Sequence, residues 1–146
     1  MTNNEEIYER LKAKLSIDKL SMDKELEEMP ELVQEVGEIV SDLTCKLDEV
    51  IAERKVVWSG YVNSLSTEAV NPATKKPYSI SAAEKQADIE PDVLECYDRE
   101  RQCRKELDRF ISIREGLKAK GYSLNTLADL WIGTYWTGDS VSTGVK

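Results

Sequence analysis

The residues from Arg54 to Tyr61 form the densest mixture of cationic and aromatic side chains in the chain. Binding a single nucleic-acid strand without reading base edges requires cations that contact phosphates and flat side chains on which bases stack. Arg54 and Lys55 supply the cations here, and Trp58 and Tyr61 supply the flat side chains. These four residues therefore predict a nucleic-acid-binding surface, although Trp and Tyr are also common in cores and interfaces.

A second cationic region lies between positions 97 and 120, where eight basic residues face five acidic ones. Three of these basic residues recur every four positions and would share one helix face: Arg101, Lys105 and Arg109. This face is a second candidate for contacts with phosphates. The alternative is a solvated surface laced with salt bridges, in which Glu100 and Arg104 would form one pair.

Residue types that catalysis and metal binding require are scarce. The chain has no histidine, which removes the commonest general base and most zinc sites. Cys45, Cys96 and Cys103 form no CxxC pair, and their odd number argues against a disulfide framework. We therefore expect neither an enzyme nor a metal site nor a cofactor.

Charge is unevenly distributed along the chain. The first 50 residues hold 14 acidic and 6 basic residues, which accounts for the whole net charge of −8. A chain this acidic is unsuited to wrapping duplex DNA, but its balanced second half is compatible with a local cationic groove. The acidic half either docks basic surfaces of partner proteins or only keeps the chain soluble.

The composition predicts an all-α protein of the cytoplasm. Hydrophobic residues make up 40% of the chain and charged residues 33%, a balance that favours exposed helices over a thick core. No run of about 18 apolar residues is present, and the N-terminus lacks the features of a signal peptide. We therefore expect a soluble protein without a membrane partner.

Apolar periodicity predicts a long helical hairpin with short N- and C-terminal helices. Ile7, Leu11 and Leu15 mark a first helix, and Pro30 suits the first turn of a second helix that would extend to Leu65. Two heptad-spaced apolar series run along this second helix as one seam. The seam predicts a homo-oligomer interface formed by Val36, Val40, Leu43, Leu47, Val50 and Val57.

Shorter elements are predicted in the second half of the chain. A linker at residues 71–77 precedes a capping box formed by Ser81 and Glu84. Pro91 should break or kink the helical pattern that follows, before a long helix returns antiparallel to the second. Gly121 should end this return helix, since glycine accepts the left-handed conformation that commonly follows a helix.

The C-terminal end of the chain predicts one more helix and a tail. Ser123 would cap a short last helix, so that residues 1–133 form a single domain. Residues 134–146 are rich in Gly, Ser and Thr and predict a flexible tail. Tyr135 and Trp136 within it suggest a docking peptide.

Several short motifs follow one another in a distinctive order. Ser16-Ile17-Asp18 is followed by a connector with Leu20 and Glu25, and then by Met29-Pro30-Glu31-Leu32 before a long charged helix that ends in aromatic-Ser-Gly. Near the C-terminus, Lys120-Gly121-Tyr122-Ser123-Leu124 contains a Gly-aromatic step. This order, over roughly residues 7–133, resembles the UvsY-type phage recombination mediators, in which the Gly-aromatic step joins the last two helices.

The resemblance implies a non-enzymatic protein that loads a strand-exchange recombinase onto single-stranded DNA in place of single-strand-binding protein. It implies a ring of about six or seven subunits, in which weak sites would act together through avidity. Aligned on Ser59-Gly60, Arg54 meets a basic family position associated with DNA contact, and Trp58 meets a family aromatic. The implied partners are single-stranded DNA, recombinase, single-strand-binding protein and further copies of the chain. The implied location is the cytoplasm of an infected host cell, if the chain is of phage origin.

A second hypothesis comes from a different class of protein. An acidic helical adaptor, or an anti-defence inhibitor that occupies a DNA-binding surface, would bind proteins only and no DNA. The net charge of −8 favours this hypothesis, whereas the order of the motifs favours the mediator.

Overall fold

The computed structural model describes the backbone of residues 3–142 and the side chains of residues 3–134. Within residues 3–142 the chain forms four helices: α1 (Asn3–Ala13), α2 (Met22–Thr67), α3 (Ile80–Asp88) and α4 (Pro91–Ser142). Within the described range there is no strand, and an isolated bridge joins Val70 to Pro77. The predicted all-α fold class is therefore confirmed.

The helices form two compact units, and each unit has its own core. Residues 3–40 and 109–142 form the terminal unit, and residues 41–108 form the central unit. The most deeply buried side chains of the terminal unit are Leu11, Val36, Phe110, Ile113, Leu117 and Leu124. Those of the central unit are Ala83, Ala87, Val93 and Cys96. In both units apolar residues three, four or seven positions apart place one helix stripe towards the core.

The seam that predicted an oligomer interface instead supplies these cores. Val36, Val40, Leu43 and Leu47 are each at most 7% exposed within a single chain. Their side chains are already buried within a single chain, which leaves little of their surface for a second subunit, and the oligomer interface stays a prediction. A heptad-spaced seam indicates that a partner helix is needed but does not say whether the partner belongs to the same chain. Val50 and Val57 are only partly buried.

Helix α2 begins earlier than the sequence predicted. Its first residue is Met22, and Pro30 lies inside the helix rather than in its first turn. Proline disfavours the helical conformation at the preceding residue and removes one backbone hydrogen bond. Met29 and Leu32 on either side of it are both buried, so tertiary packing outweighs the local preference.

The start of α3 also differs from the prediction. Ser79, not Ser81, is the N-cap, and its hydroxyl accepts a hydrogen bond from the Ala82 backbone N–H at 3.2 Å. This start places Ala83 and Ala87 in the core of the central unit. The predicted break before Pro91 is confirmed, because α3 ends at Asp88 and α4 begins at the proline.

Gly121 does not end a helix. Helix α4 continues through it and through Ser123, no glycine in the described part of the chain has a positive φ, and no separate last helix forms. Leu117, Lys120 and Leu124 are all buried on one face of α4. Burial on both sides of the glycine therefore holds the backbone helical where its local preference is to stop.

Replacing Gly121 by alanine is consequently expected to stabilise the protein rather than to destabilise it. The nearest atom to an added Cβ would be Met29 Cε at 3.7 Å, an ordinary van der Waals distance. Alanine favours a helix interior over glycine by about 1 kcal/mol. The midpoint of urea denaturation should rise, and a fall in this midpoint would contradict a continuous α4 at this position.

The remaining predictions about the C-terminal end concern the last part of α4. The predicted tail, residues 134–146, overlaps this helix, whose backbone is described as far as Ser142. The side chains of Tyr135 and Trp136 lie outside the described residues, so their docking role stays a prediction. None of the described helices combines the length and the apolarity needed to cross a lipid bilayer.

Candidate nucleic-acid interface

The charge of Arg54 is neutralised by a carboxylate of its own unit. Its Nε donates a hydrogen bond to Glu100 Oε2 at 2.7 Å, and its guanidinium carbon lies 4.7 Å from the centre of the Tyr97 ring. The Arg54 and Glu100 side chains are 19% and 13% exposed, so water screens this pair only weakly. Arg54 therefore joins α2 to α4 within the central unit. A phosphate would have to displace Glu100 to bind it.

Trp58 and Tyr61 are also bound to carboxylates of the central unit. The Trp58 indole N–H donates to Asp88 Oδ1 at 2.9 Å, and the Tyr61 hydroxyl donates to Asp92 Oδ2 at 2.5 Å. The hydrogen bond to Asp92 raises the pKa of Tyr61 above its ordinary value. These contacts fasten α2 to the corner between α3 and α4. Base stacking on either ring stays a prediction, and the adjacent carboxylates would repel the phosphates of a stacked strand.

Lys55 keeps a free charge. It is exposed on α2 and makes no side-chain ion pair or hydrogen bond among the described residues. No acidic residue stands three or four positions away from it, so its helical neighbours do not neutralise it. Of the four residues in the first predicted surface, Lys55 is thus the one that could contact a phosphate without first losing a partner.

The second predicted surface is divided in the same way. In the central unit Arg101 is ion-paired with Asp98, whereas Lys105 is exposed and has no such partner among the residues described. In the terminal unit the Arg109 guanidinium carbon lies 3.9 Å from the centre of the Tyr8 ring. Arg109 also donates to Glu5 at 3.2 Å, and this hydrogen bond is the largest contribution that raises its pKa. Lys105 is therefore the free cation of this surface.

The pairing of arginines extends to the whole chain. All seven arginines lie in the described range, and each is within ion-pair distance of a carboxylate. The Glu100–Arg104 pair expected from its spacing is among them, at 3.0 Å. Six lysines of the central unit form no ion pair or hydrogen bond through their side chains with any described residue: Lys46, Lys55, Lys75, Lys76, Lys85 and Lys105. The unpaired cations of the central unit are therefore all lysines.

Only some of these ion pairs have a signal in the sequence. Pairs within one helix, such as Arg101 with Asp98, follow from a spacing of three or four residues. The pairs of Arg54 with Glu100 and of Arg99 with Glu53 join residues 46 positions apart, and no local pattern predicts them. The pairing of Glu100 with Arg54 and of Glu53 with Arg99 is therefore what the sequence alone did not reveal.

Several residues of the short motifs noted in the sequence contact one another in the terminal unit, and not on a cationic surface. Lys120 Nζ forms an ion pair with Glu25 and donates a hydrogen bond to the Lys14 carbonyl at 2.6 Å. Glu25 Oε1 also accepts the Asp18 backbone N–H at 3.4 Å. Lys120 is 5% exposed, so its charge is held inside the unit. This cluster joins the end of α1, the start of α2 and the middle of α4, and its role is structural.

Among the side chains of residues 3–134, no group of three or more His, Cys, Asp or Glu residues is placed to hold a metal ion. Arg99 donates a hydrogen bond to Cys96 Sγ at 3.3 Å, which together with its contact to Glu53 raises the pKa of Arg99. Cys96 itself is buried. The arrangement is therefore one of ion pairs and exposed lysines, and the lysines can attract an anion electrostatically.

Comparison with known proteins relates the fold of this chain to solved structures. No protein-family model and no curated protein sequence matches the chain. Crystal structures of the bacteriophage T4 recombination mediator protein UvsY do match. One has a TM-score of 0.74 at 16% identity, over 92% of this chain and 99% of that one. The chain has the UvsY fold.

Two further UvsY structures give the same result. Their TM-scores are 0.73 and 0.72, at 16% and 17% identity. They cover 91% and 86% of this chain and 99% and 96% of their own. The resemblance to UvsY expected from the motif order is thereby confirmed for the fold.

Proposed function

We propose that this protein is a recombination mediator, which binds single-stranded DNA and helps to load a strand-exchange recombinase in place of single-strand-binding protein. The observation that carries the proposal is the extent of the UvsY fold, which covers 92% of this chain and 99% of UvsY. A mediator acts through binding alone. The proposal therefore requires no catalytic residue and no cofactor.

The DNA contacts in this proposal come from exposed lysines, with Lys55 on α2 and Lys105 on α4 at the two surfaces suggested by the sequence. Arg54 and Arg101 of the same unit are held by their own ion pairs, as is Arg109 in the terminal unit. Two such lysines per chain would by themselves bind a strand weakly. Several copies of the chain acting on one strand would bind it much more tightly, because the later contacts become intramolecular.

Assembly of such copies needs a surface other than the buried seam. The terminal unit exposes apolar side chains on the α1–α2 connector and late in α4: Leu20, Leu130, Trp131 and Ile132. Leu20 is 97% exposed and Trp131 69%, and contiguous apolar exposure of this kind commonly marks an interaction surface. We assign the contact between subunits to these residues. A ring of about six or seven copies remains the assembly implied by the resemblance.

The protein is expected to bind a labelled oligothymidylate with an affinity that falls steeply as salt rises, because phosphate contacts release counterions. Lys55→Gln should lower the slope of log affinity against log salt by about 0.7 for each phosphate that the lysine neutralises. Lys24→Gln changes the charge of an exposed lysine in the terminal unit and should leave the slope unchanged. The same samples should contain oligomers by mass measurement in solution.

Loading is tested by adding the protein to a recombinase and a strand already coated with single-strand-binding protein. Filament formation should accelerate with the wild type and less with Lys55→Gln. A wild type that binds no oligothymidylate even at low salt would refute the mediator proposal. The protein-only adaptor would then be favoured, since the net charge of −8 and the paired arginines suit it.

A further inference from the structure

The connection between α2 and α3 is a closed loop rather than a loose linker. The Asn71 backbone N–H donates to the Lys76 carbonyl, and the Lys75 N–H donates to the Asn71 carbonyl, both at 2.8 Å. The Asn71 side-chain oxygen accepts the Ala73 N–H at 3.0 Å, and Val70 bridges to Pro77. These contacts hold residues 70–77, named here the lysine loop, in a defined shape.

Lys75 has an unfavourable backbone conformation in this loop. Its φ is 53°, and it is the only residue other than glycine with a positive φ in the part of the chain that the structure describes. An L-residue is destabilised there, whereas glycine is not, because the Cβ approaches its own backbone. The Lys75 side chain is exposed and has no intramolecular hydrogen bond or ion pair among the described residues. No contact within the described chain therefore accounts for a lysine at this position.

The charge of the lysine loop is not compensated. Lys75 and Lys76 are adjacent and exposed, and no acidic residue occurs between Glu68 and Glu84. Neither lysine has a carboxylate partner in the described range, whereas every arginine of the chain has one. In a chain with a net charge of −8, this loop is a separate positive site.

Apolar and aromatic groups flank the two lysines. Val70 is 61% exposed, Ile80 is 70% exposed, and Tyr78 is partly exposed beside Pro77. Cations together with flat or apolar side chains are what single-strand binding without base-edge recognition requires. A single strand can also reach an exposed loop without bringing a second phosphate backbone near the acidic surface of the chain.

We infer that the lysine loop is a second single-stranded DNA-binding site, in which Lys75 and Lys76 contact phosphates while the flanking apolar side chains support the bases. This inference rests on the proposed function and adds to it a site separate from Lys55. The α-helical rise of about 1.5 Å per residue places Lys55 roughly 18 Å from the end of α2 at Thr67, where the loop begins to leave the helix. One strand running along α2 would meet both sites.

The test compares the wild type with the double variant Lys75→Gln/Lys76→Gln in binding to a labelled oligothymidylate over a range of salt concentrations. Removing two phosphate contacts should lower the slope of log affinity against log salt by about 1.4 for each bound subunit. The matched control Lys24→Gln/Lys46→Gln removes two other exposed, unpaired lysines of the described chain and should bind with the slope of the wild type.

Two further measurements separate binding from structure. Lys75→Gly removes the side chain and relieves the positive φ, so it should weaken DNA binding without lowering the melting temperature. Bound oligothymidylate should also slow acetylation of Lys75 and Lys76 several-fold, as read by mass spectrometry, and leave Lys24 and Lys46 unaffected. If the double variant binds as the wild type does and the loop lysines are not protected, the lysine loop is not a DNA-binding site. The mediator proposal would not be affected by that result. A wild type that binds no single strand would overturn both.

Discussion

Leu43→Glu is expected to unfold the protein. Leu43 is 6% exposed in the central unit, so the substitution removes a buried leucine and places an unpaired carboxylate in its position. The missing packing alone destabilises by about 2–5 kcal/mol, and a buried charge without a partner adds several more. Their sum is comparable with the entire stability of a small protein, which is about 5–15 kcal/mol. Far-ultraviolet circular dichroism should show a large loss of helix.

A matched control exists on the same helix. Val56 is 72% exposed, so Val56→Glu should change the free energy of unfolding by no more than about 0.5 kcal/mol and leave the helix content intact. Comparison of the two variants distinguishes a role of Leu43 in the core from a role in contact between subunits. If Leu43→Glu stayed fully helical and only dissociated an oligomer, Leu43 would be an interface residue, as the heptad pattern had suggested.

Lys120→Met is expected to lower the free energy of unfolding by about 3–5 kcal/mol, the range observed when one partner of a buried ion pair is removed. The substitution leaves the Glu25 carboxylate, whose side chain is 16% exposed, without its cation, and the Lys14 carbonyl loses a hydrogen bond. The corner that joins α1, α2 and α4 should therefore loosen. Urea denaturation followed by circular dichroism measures the change.

Two variants test the cause of this destabilisation. Lys118→Met removes an exposed lysine two residues away, whose pair with Glu115 is solvent-screened, and should have little effect. The double variant Lys120→Met/Glu25→Leu should recover much of the stability, since apolar replacement of a whole buried pair is often neutral or stabilising. Equal destabilisation by the single and the double variant would show that packing of the lysine stem, and not the ion pair, holds the corner.

The fold class, the break before Pro91 and the resemblance to UvsY were all predictable from the order of residues. Apolar periodicity is a local property, because side chains three or four positions apart share a helix face whatever lies opposite. The motif order indicated the fold because Asp18, Glu25 and Lys120 build one corner of it. The likeness to UvsY at 16% identity shows that this fold persists when most residues differ.

Packing, in contrast, sets where helices begin and end against local preference. Helix α2 continues through Pro30 and α4 through Gly121 because the neighbouring residues are buried. The sequence alone does not say which helix faces will be buried. The same holds for the seam, because a heptad pattern cannot tell a helix of the same chain from one of another copy.

Packing also determines which cations stay free. Arg54 and Lys55 are adjacent in the sequence, yet Arg54 lies against Glu100 on α4 while Lys55 pairs with no carboxylate of the described chain. The carboxylate that neutralises Arg54 is 46 residues distant, so only the packing of α4 beside α2 brings the two charges together. Charge composition is a property of the sequence, whereas the availability of a charge depends on which residues the fold places within about 4 Å of it.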